Sequence, residues 1–165
     1  MSRRTVTVNL GEIRLARSTA DELVAFGLGS CVAVCVWDPN GPLAAMAHVV
    51  LPRSSNGHGA GSHSPELSGK YADQAIARLV KLLSDAGGAP MQAQWKLVGG
   101  AHVLQVPGLP PIGEHNVMAL RDALRQHGLR ITAEDVGGHA GRTVRLSAAD
   151  GTLLVRSANG DERVL

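Results

Sequence analysis

Two apolar segments separated by a strong turn signal constrain the fold of this chain more than any other feature. The first spans 32–37 and the second 44–51, and Asp38-Pro39-Asn40-Gly41 lies between them. Asp, Pro, Asn and Gly are each favoured at successive positions of a β-turn. Both segments are short, apolar and rich in valine and alanine, so the pattern predicts an antiparallel hairpin.

A glycine-rich segment leads into the first of these strands and ends in a cysteine. Gly27-Leu28-Gly29-Ser30 directly precedes Cys31. Glycines allow a tight approach to the strand, and a residue at the strand edge lies beside free backbone N–H groups. This arrangement is typical of a nucleophile, and the backbone N–H groups near Ser30 and Cys31 are candidates for an oxyanion hole.

A histidine on the second strand is the candidate partner of this cysteine. If Asp38 faces Gly41, the antiparallel register places His48 directly opposite Cys31, with Cβ atoms roughly 4.5–5.5 Å apart. An imidazole at that distance can take the thiol proton and form a thiolate–imidazolium pair. A bulge at Gly41-Pro42 would change the register. Simple packing of a buried cysteine against a histidine also explains the spacing, so both interpretations stay open.

Short motifs then occur in a recognisable order along nearly the whole chain. They are LGSCV at 28–32, DP at 38–39, MAH at 46–48, LP at 51–52, KYADQAI at 70–76, GGA at 99–101, IGE at 112–114, NV at 116–117, DVGG at 135–138 and GR at 141–142. Together they resemble the CheD family, the chemoreceptor glutamine deamidases of bacterial chemotaxis.

This resemblance implies a cysteine-dependent hydrolase without a cofactor. Cys31 would be the nucleophile and His48 the general base and acid, in a reaction that converts receptor glutamine side chains to glutamate and releases ammonia. The implied partners are the cytoplasmic helices of chemoreceptors and a phosphatase of the CheC type. The implied fold is an α-β-β-α layered sandwich of mixed sheets, shared with bacterial cysteine-dependent deamidating toxins.

The sequence departs from the family pattern at position 25. The pattern carries a threonine there as third member of the catalytic set, whereas this chain has Ala25. An alanine has no hydroxyl to orient the imidazole, so Ala25→Thr is expected to raise turnover. Thr19 and Ser30 are alternative sources of the hydroxyl. A non-catalytic adaptor of the same fold, which binds receptors or the phosphatase, is the alternative function.

The remaining patterns favour an α+β fold in one domain spanning residues 1–165. Apolar residues at helical spacing predict one helix that follows Ser68 and stops at Gly87-Gly88, and a second over 114–127. Paired glycines at Gly99 and Gly100 indicate close backbone approach and possible lining of a pocket. The predicted strands are 5–10, 12–16, 23–26, 95–98, 129–136, 143–146 and 153–155, the last two joined around Asp150-Gly151.

Charge and cysteine content exclude several classes of protein. A net charge of +2 with scattered Lys and Arg gives no reason to expect nucleic-acid binding. The N-terminus shows neither a signal peptide nor an apolar segment of membrane-spanning length, so we expect a soluble cytoplasmic protein without direct membrane insertion. Cys31 and Cys35 lie roughly 13 Å apart along one strand, too far for a disulfide, and we interpret Cys35 as a core residue.

A polar, glycine-rich segment over 53–64 follows the strand that carries His48. Its composition predicts a mobile loop, either a lid over the substrate or a tolerated insertion. It contains His58 and His63, but these and the two cysteines lack the tight spacing of a zinc site, so no metal is expected.

Overall fold

The computed structural model of the chain describes residues 2–54 and 68–165. Most of the predicted loop, with His58 and His63, lies outside the described residues. No helix within the described residues has both the length and the apolar character needed to cross a bilayer. The elements are β1 Arg4–Thr7, β2 Ile13–Ala16, β3 Asp21–Leu28, β4 Val32–Asp38, β5 Leu43–Val49, α1 Ala72–Asp85, β6 Gln94–Gly99, α2 Ile112–Gln126, β7 Ile131–Val136, β8 Arg142–Ser147, β9 Leu153–Ser157 and β10 Glu162–Val164.

The strands form two mixed sheets of five strands each. The order is β1-β3-β8-β9-β10 in the first sheet and β2-β5-β4-β6-β7 in the second. β1 pairs with β3 and β6 pairs with β7 in parallel, while the other neighbours are antiparallel. The predicted α+β class is therefore confirmed, as is the hairpin of β8 and β9 around Asp150-Gly151.

Alternation along β4 divides the interior into two apolar clusters. Val32, Val34 and Val36 face α1 and α2, while Ala33 and Cys35 face the first sheet. Successive side chains of a strand point to opposite faces, so a strand that is apolar throughout can serve both clusters. The order of layers is helices, second sheet, first sheet.

Both described helices pack on the same face of the second sheet. The buried stripe of α1 contains Ala75, Ile76, Leu79 and Leu83, as its spacing predicted. The described residues therefore form an α-β-β arrangement. The second helical layer of the expected α-β-β-α sandwich is not present among residues 2–54 and 68–165.

The β4–β5 hairpin forms as predicted, but the predicted register was wrong: the observed pairing is shifted by two residues. The Gly41 N–H donates to the Asp38 carbonyl at 3.3 Å, as a turn requires. The ladder nevertheless begins with Asp38 opposite Leu43, and His48 lies opposite Ala33 instead of Cys31. Pro42 has no N–H to donate and extends the connection. Because the shift is an even number of residues, His48 keeps the same sheet face as Cys31.

Candidate active site

Backbone hydrogen bonds hold the segment that carries the candidate nucleophile. The Gly29 carbonyl accepts a hydrogen bond from the Ala101 N–H at 2.8 Å, and the Cys31 carbonyl accepts one from the Gly100 N–H at 2.8 Å. Both donors follow β6. The conformation of the loop therefore depends on the neighbouring strand, although its composition alone would permit many conformations.

Gly99 and Gly100 allow that neighbouring segment to approach so closely. A Cβ on Gly99 would lie 2.2 Å from the Cys31 carbonyl oxygen, and one on Gly100 would lie 2.5 Å from Val117 Cγ2. Both residues also have positive φ angles, 120° and 65°. No side chain larger than hydrogen fits at either position.

The Cys31 side chain is half-buried, and burial raises the pKa of its thiol. The backbone N–H of Cys31 opposes this rise in pKa only in part. Cys35 is a contrasting case, since it is 1% exposed and burial raises its pKa to about 12. Its prediction as a core residue is confirmed by this position.

His48 is 3% exposed, and a backbone carbonyl determines its tautomer. Its Nδ1 lies 3.0 Å from the carbonyl oxygen of Val8, the residue that follows β1. A carbonyl oxygen only accepts, so Nδ1 must carry the hydrogen, and the neutral ring then has its lone pair on Nε2. Nε2 is buried and has no hydrogen-bond partner among the described residues.

Cys31 and His48 are diagonal neighbours on one face of the second sheet. His48 lies opposite Ala33, and Cys31 is two residues before Ala33. Diagonal pairs lie roughly 7–8 Å apart between Cα atoms, within reach of a long side chain. His48 Nε2 and the Cys31 thiol do not form a hydrogen bond in this part of the chain.

The electrostatics indicate a neutral pair in the resting protein. Burial lowers the pKa of His48, and the Val8 hydrogen bond and the Glu12 carboxylate oppose this only in part. Burial raises the pKa of Cys31 at the same time. Both shifts disfavour the thiolate–imidazolium pair that the sequence suggested, since each opposes the charged form.

Ala25 lies on β3, fully buried in the cluster between the two sheets. Within the described residues, His48 Nδ1 bonds to Val8 and Nε2 to nothing, so the hydroxyls of Thr19 and Ser30 do not orient the ring. Sequence reasoning missed Val8 because any residue type can supply a backbone carbonyl. It quoted Asn116 only within a family motif and assigned no role to its side chain, whose Nδ2 donates to the Ser30 carbonyl at 2.9 Å.

A cavity of about 970 Å³ opens beside the candidate nucleophile. Its wall includes Gly29, Ser30 and Gly100, whereas Cys31, His48 and Gly99 are not part of it. Exposed apolar side chains stand along its other sides, from the segment after β6 and from α2. They are Val103, Leu104, Leu109 and Met118.

Comparison with known proteins agrees with these observations. A family model described as CheD chemotactic sensory transduction matches residues 50–157. The chain belongs to the CheD family. The matched CheD region contains Gly99, Gly100 and Asn116, while Cys31 and His48 precede it.

Full-length CheD relatives also cover the candidate dyad. A protein of Symbiobacterium thermophilum, named probable chemoreceptor glutamine deamidase CheD, is 42% identical over 99% of this chain and 98% of its own length. The chemoreceptor glutamine deamidase CheD of Thermotoga maritima is 38% identical over 95% of this chain and 94% of its own length. A relative from Archaeoglobus fulgidus is 36% identical over 95% of this chain and 96% of its own length.

A solved structure, the hypothetical protein YfiH of Bacillus licheniformis, shares 14% identity with this CheD family member at a TM-score of 0.42. The alignment covers 81% of this chain and 59% of that chain. A likeness of this size supports no conclusion about the site.

Proposed function

We propose that this protein hydrolyses glutamine side chains of chemoreceptors to glutamate and releases ammonia, with Cys31 as nucleophile and His48 as general base and acid. The observation that carries the proposal is the state of His48. Val8 holds its Nδ1 as a donor, so Nε2 presents a buried, unpartnered lone pair on the sheet face shared with Cys31. A positioned imidazole lone pair next to a thiol is the arrangement of a nucleophile and its base.

In the first step the Cys31 sulfur attacks the carboxamide carbon as His48 Nε2 takes the thiol proton. The carbonyl π electrons move to oxygen and give a tetrahedral oxyanion. The Cys31 N–H belongs to the residue whose sulfur attacks, so it is our candidate donor to that oxygen. One oxyanion donor contributes roughly 2.7–4 kcal/mol to lowering the barrier.

In the second step the intermediate collapses. The carbon–nitrogen bond breaks as the His48 imidazolium donates its proton to the leaving nitrogen, which departs as ammonia and leaves a thioester on Cys31. Neutral His48 then takes a proton from water, which attacks the thioester carbon. Collapse of the second intermediate releases the glutamate side chain and returns the proton to the sulfur, so the cycle consumes one water and no cofactor.

A neutral resting dyad has a consequence for the order of events. Because the charged forms of both residues are disfavoured by burial, the proton leaves Cys31 only when the substrate carbonyl is in place to receive the attack. The resting thiol is then a weak nucleophile toward other electrophiles. Cys31 therefore reacts with a substrate bound in the site in preference to free electrophiles.

The substrate class rests on the relatives, which are named chemoreceptor glutamine deamidases. The apolar cavity adjoins Gly29 and Ser30, so a receptor helix seated there could place its apolar side chains beside the reacting glutamine. The product adds one negative charge to that helix. A phosphatase of the CheC type is proposed as a second partner on the strength of the family resemblance.

Mass spectrometry of receptor helices incubated with the protein tests this function. Each converted glutamine gains about one dalton, and the signal requires the thiol of Cys31. Cys31→Ala should abolish the gain, and Cys35→Ala serves as the matched control because it removes the other thiol. If Cys31→Ala still converts glutamine and Cys35→Ala does not, the assignment of Cys31 as nucleophile is wrong.

The adaptor alternative depended on Ala25. An alanine at that position suggested an imidazole without an orienting group, and hence lost chemistry. Since the Val8 carbonyl already bonds Nδ1, the absence of a hydroxyl at position 25 no longer argues against catalysis.

A further inference from the structure

Asn116 forms hydrogen bonds to the chain next to both residues of the candidate dyad. It lies on the inward face of α2 and is completely buried. Its Nδ2 donates to the Ser30 carbonyl at 2.9 Å and to the Val50 carbonyl at 3.0 Å. Ser30 immediately precedes Cys31, and Val50 closely follows His48 in the chain. One amide group therefore bonds the segment that leads into β4 and the segment that follows β5.

The orientation of this amide follows from its partners. Both neighbours are carbonyl oxygens, so the NH₂ group must face them and its two hydrogens are used. Asn116 Oδ1 is then buried without a hydrogen-bond partner among the described residues. A buried carbonyl without a hydrogen-bond partner destabilises a protein. The other residues on this face of α2, such as Val117 and Leu120, are apolar, so an apolar side chain would fit at position 116 without that cost. Packing alone does not explain an asparagine here.

Peptide geometry transmits this contact to the nucleophile. All peptide bonds described are trans, and in a planar trans peptide the C=O and the N–H point in opposite directions. Fixing the Ser30 carbonyl on Asn116 therefore fixes the direction of the Cys31 N–H. That N–H belongs to the same residue as the reacting sulfur, so its direction decides whether it faces charge that develops there.

Close packing of the helix start makes this contact possible. A Cβ on Gly113 would lie 2.6 Å from the Gly100 backbone, so only glycine lets α2 approach the segment after β6. This places Asn116 within reach of the nucleophile loop. The same Gly100 donates to the Cys31 carbonyl, so α2 contacts the loop both directly and through this segment.

We propose that Asn116 is a positioning residue that orients the Ser30–Cys31 peptide and holds it in register with the end of β5, so that the Cys31 N–H, the Cys31 sulfur and His48 Nε2 keep their productive arrangement. This role rests on the proposed function, because it matters only if Cys31 and His48 react. A purely structural tie would stabilise the fold and leave the chemistry of the thiol unchanged.

The first experiment measures the thiol without any substrate. The alkylation rate of Cys31 by iodoacetamide is followed against pH by mass spectrometry in Asn116→Leu, which keeps the branched shape of the side chain and removes the donors. An N–H dipole directed at a thiolate stabilises the charged form, so misorienting the Ser30–Cys31 peptide should slow alkylation of Cys31 by about threefold or more. Leu124→Val is the control, since it trims another buried residue of α2 about two turns away and leaves the profile unchanged.

The second experiment measures receptor deamidation by the same variants. Misplacement of reacting groups lowers kcat, and we expect a loss of about 10- to 100-fold in Asn116→Leu with KM within about twofold. Asn116→Thr retains one donor and should lose less. Leu124→Val should lower the melting temperature and leave kcat unchanged.

The outcomes separate this proposal from the proposed function. Unchanged alkylation and kcat in folded Asn116→Leu overturn it. If that variant does not fold, Asn116→Thr decides, and a profile identical to that of the unaltered protein overturns the proposal. Failure of both variants to fold assigns Asn116 to folding and overturns it as well. If the unaltered protein itself deamidates nothing, the proposed function is wrong, and the alkylation profiles still report whether Asn116 orients Cys31.

Discussion

His48 Nδ1 lies 3.0 Å from the Val8 carbonyl oxygen, so the backbone of the β1–β2 connection orients the imidazole. The contact leaves Nε2 as the free base and requires no particular side chain at position 8. It therefore supplies an orienting group for His48 that is independent of position 25, where this chain has Ala25.

Ala25→Thr should consequently change turnover little. The sequence suggested a gain from restoring the hydroxyl, but Nδ1 already has its partner, so kcat should stay within about twofold of the unaltered protein. Steady-state ammonia release from receptor substrate measures this. Ser30→Ala removes the hydroxyl of the residue that precedes Cys31 and should be equally mild. A gain of tenfold or more in Ala25→Thr would show that the Val8 contact is insufficient.

The neutral resting dyad predicts how the two cysteines react. Cys31 is half-buried and Cys35 is 1% exposed with a pKa of about 12, so iodoacetamide should label Cys31 first. The rate at Cys31 should continue to rise above pH 8, because burial raises the pKa of this thiol. His48→Ala should leave that alkylation profile nearly unchanged while it abolishes deamidation.

A different profile would point to an ion pair. If the alkylation rate of Cys31 reaches its plateau below pH 7, and His48→Ala moves the plateau upward, the resting protein holds a thiolate–imidazolium pair. The neutral-dyad interpretation would then be wrong.

Burial of His48 also predicts a pH dependence of stability. The pKa of His48 in the folded protein lies below its unfolded value of about 6.5. At a pH between these two pKa values, the unfolded chain binds more protons than the folded protein. Stability should fall as the pH drops below about 6.5, until the folded histidine also protonates. Denaturant unfolding of the unaltered protein and His48→Gln across pH 5–8 measures this. The free energy of unfolding of His48→Gln should depend less steeply on pH than that of the unaltered protein. Equal slopes would show that other groups cause the acid sensitivity.

The cavity beside Ser30 should contribute to substrate binding. Met118 on α2 lines it and is 54% exposed, while Met91 is 69% exposed and lies outside it. Met118→Lys places a charge in an apolar wall and should raise KM for receptor helices about tenfold or more, with kcat little changed. Met91→Lys is the matched control. Equal KM values for the two variants would place the receptor elsewhere.

Much of the architecture follows from local patterns in the chain. The stripe of Ala75, Ile76 and Leu79 predicted α1, and the turn at Asp38-Pro39-Asn40-Gly41 predicted the hairpin. The register failed because Pro42 lengthens the connection, which turn residues alone do not reveal. The strand β10 was missed because its three residues are exposed and carry no apolar alternation.

The candidate site was predictable in its side chains and unpredictable in its backbone. Cys31 and His48 could be selected from residue type and family motifs. The Val8 carbonyl and the two carbonyls bonded by Asn116 could not, because backbone acceptors leave no signature in the sequence. These contacts depend on the packing of distant segments, which only the folded chain brings together.

Trapping of the covalent intermediate tests the central claim most directly. A thioester on Cys31 can be attacked by hydroxylamine in place of water, so receptor helices incubated with the protein and hydroxylamine should contain glutamyl hydroxamate at the sites that otherwise become glutamate. Mass spectrometry distinguishes the two products. We predict hydroxamate with the unaltered protein and neither product with Cys31→Ala. Deamidation by Cys31→Ala at an undiminished rate would contradict the account.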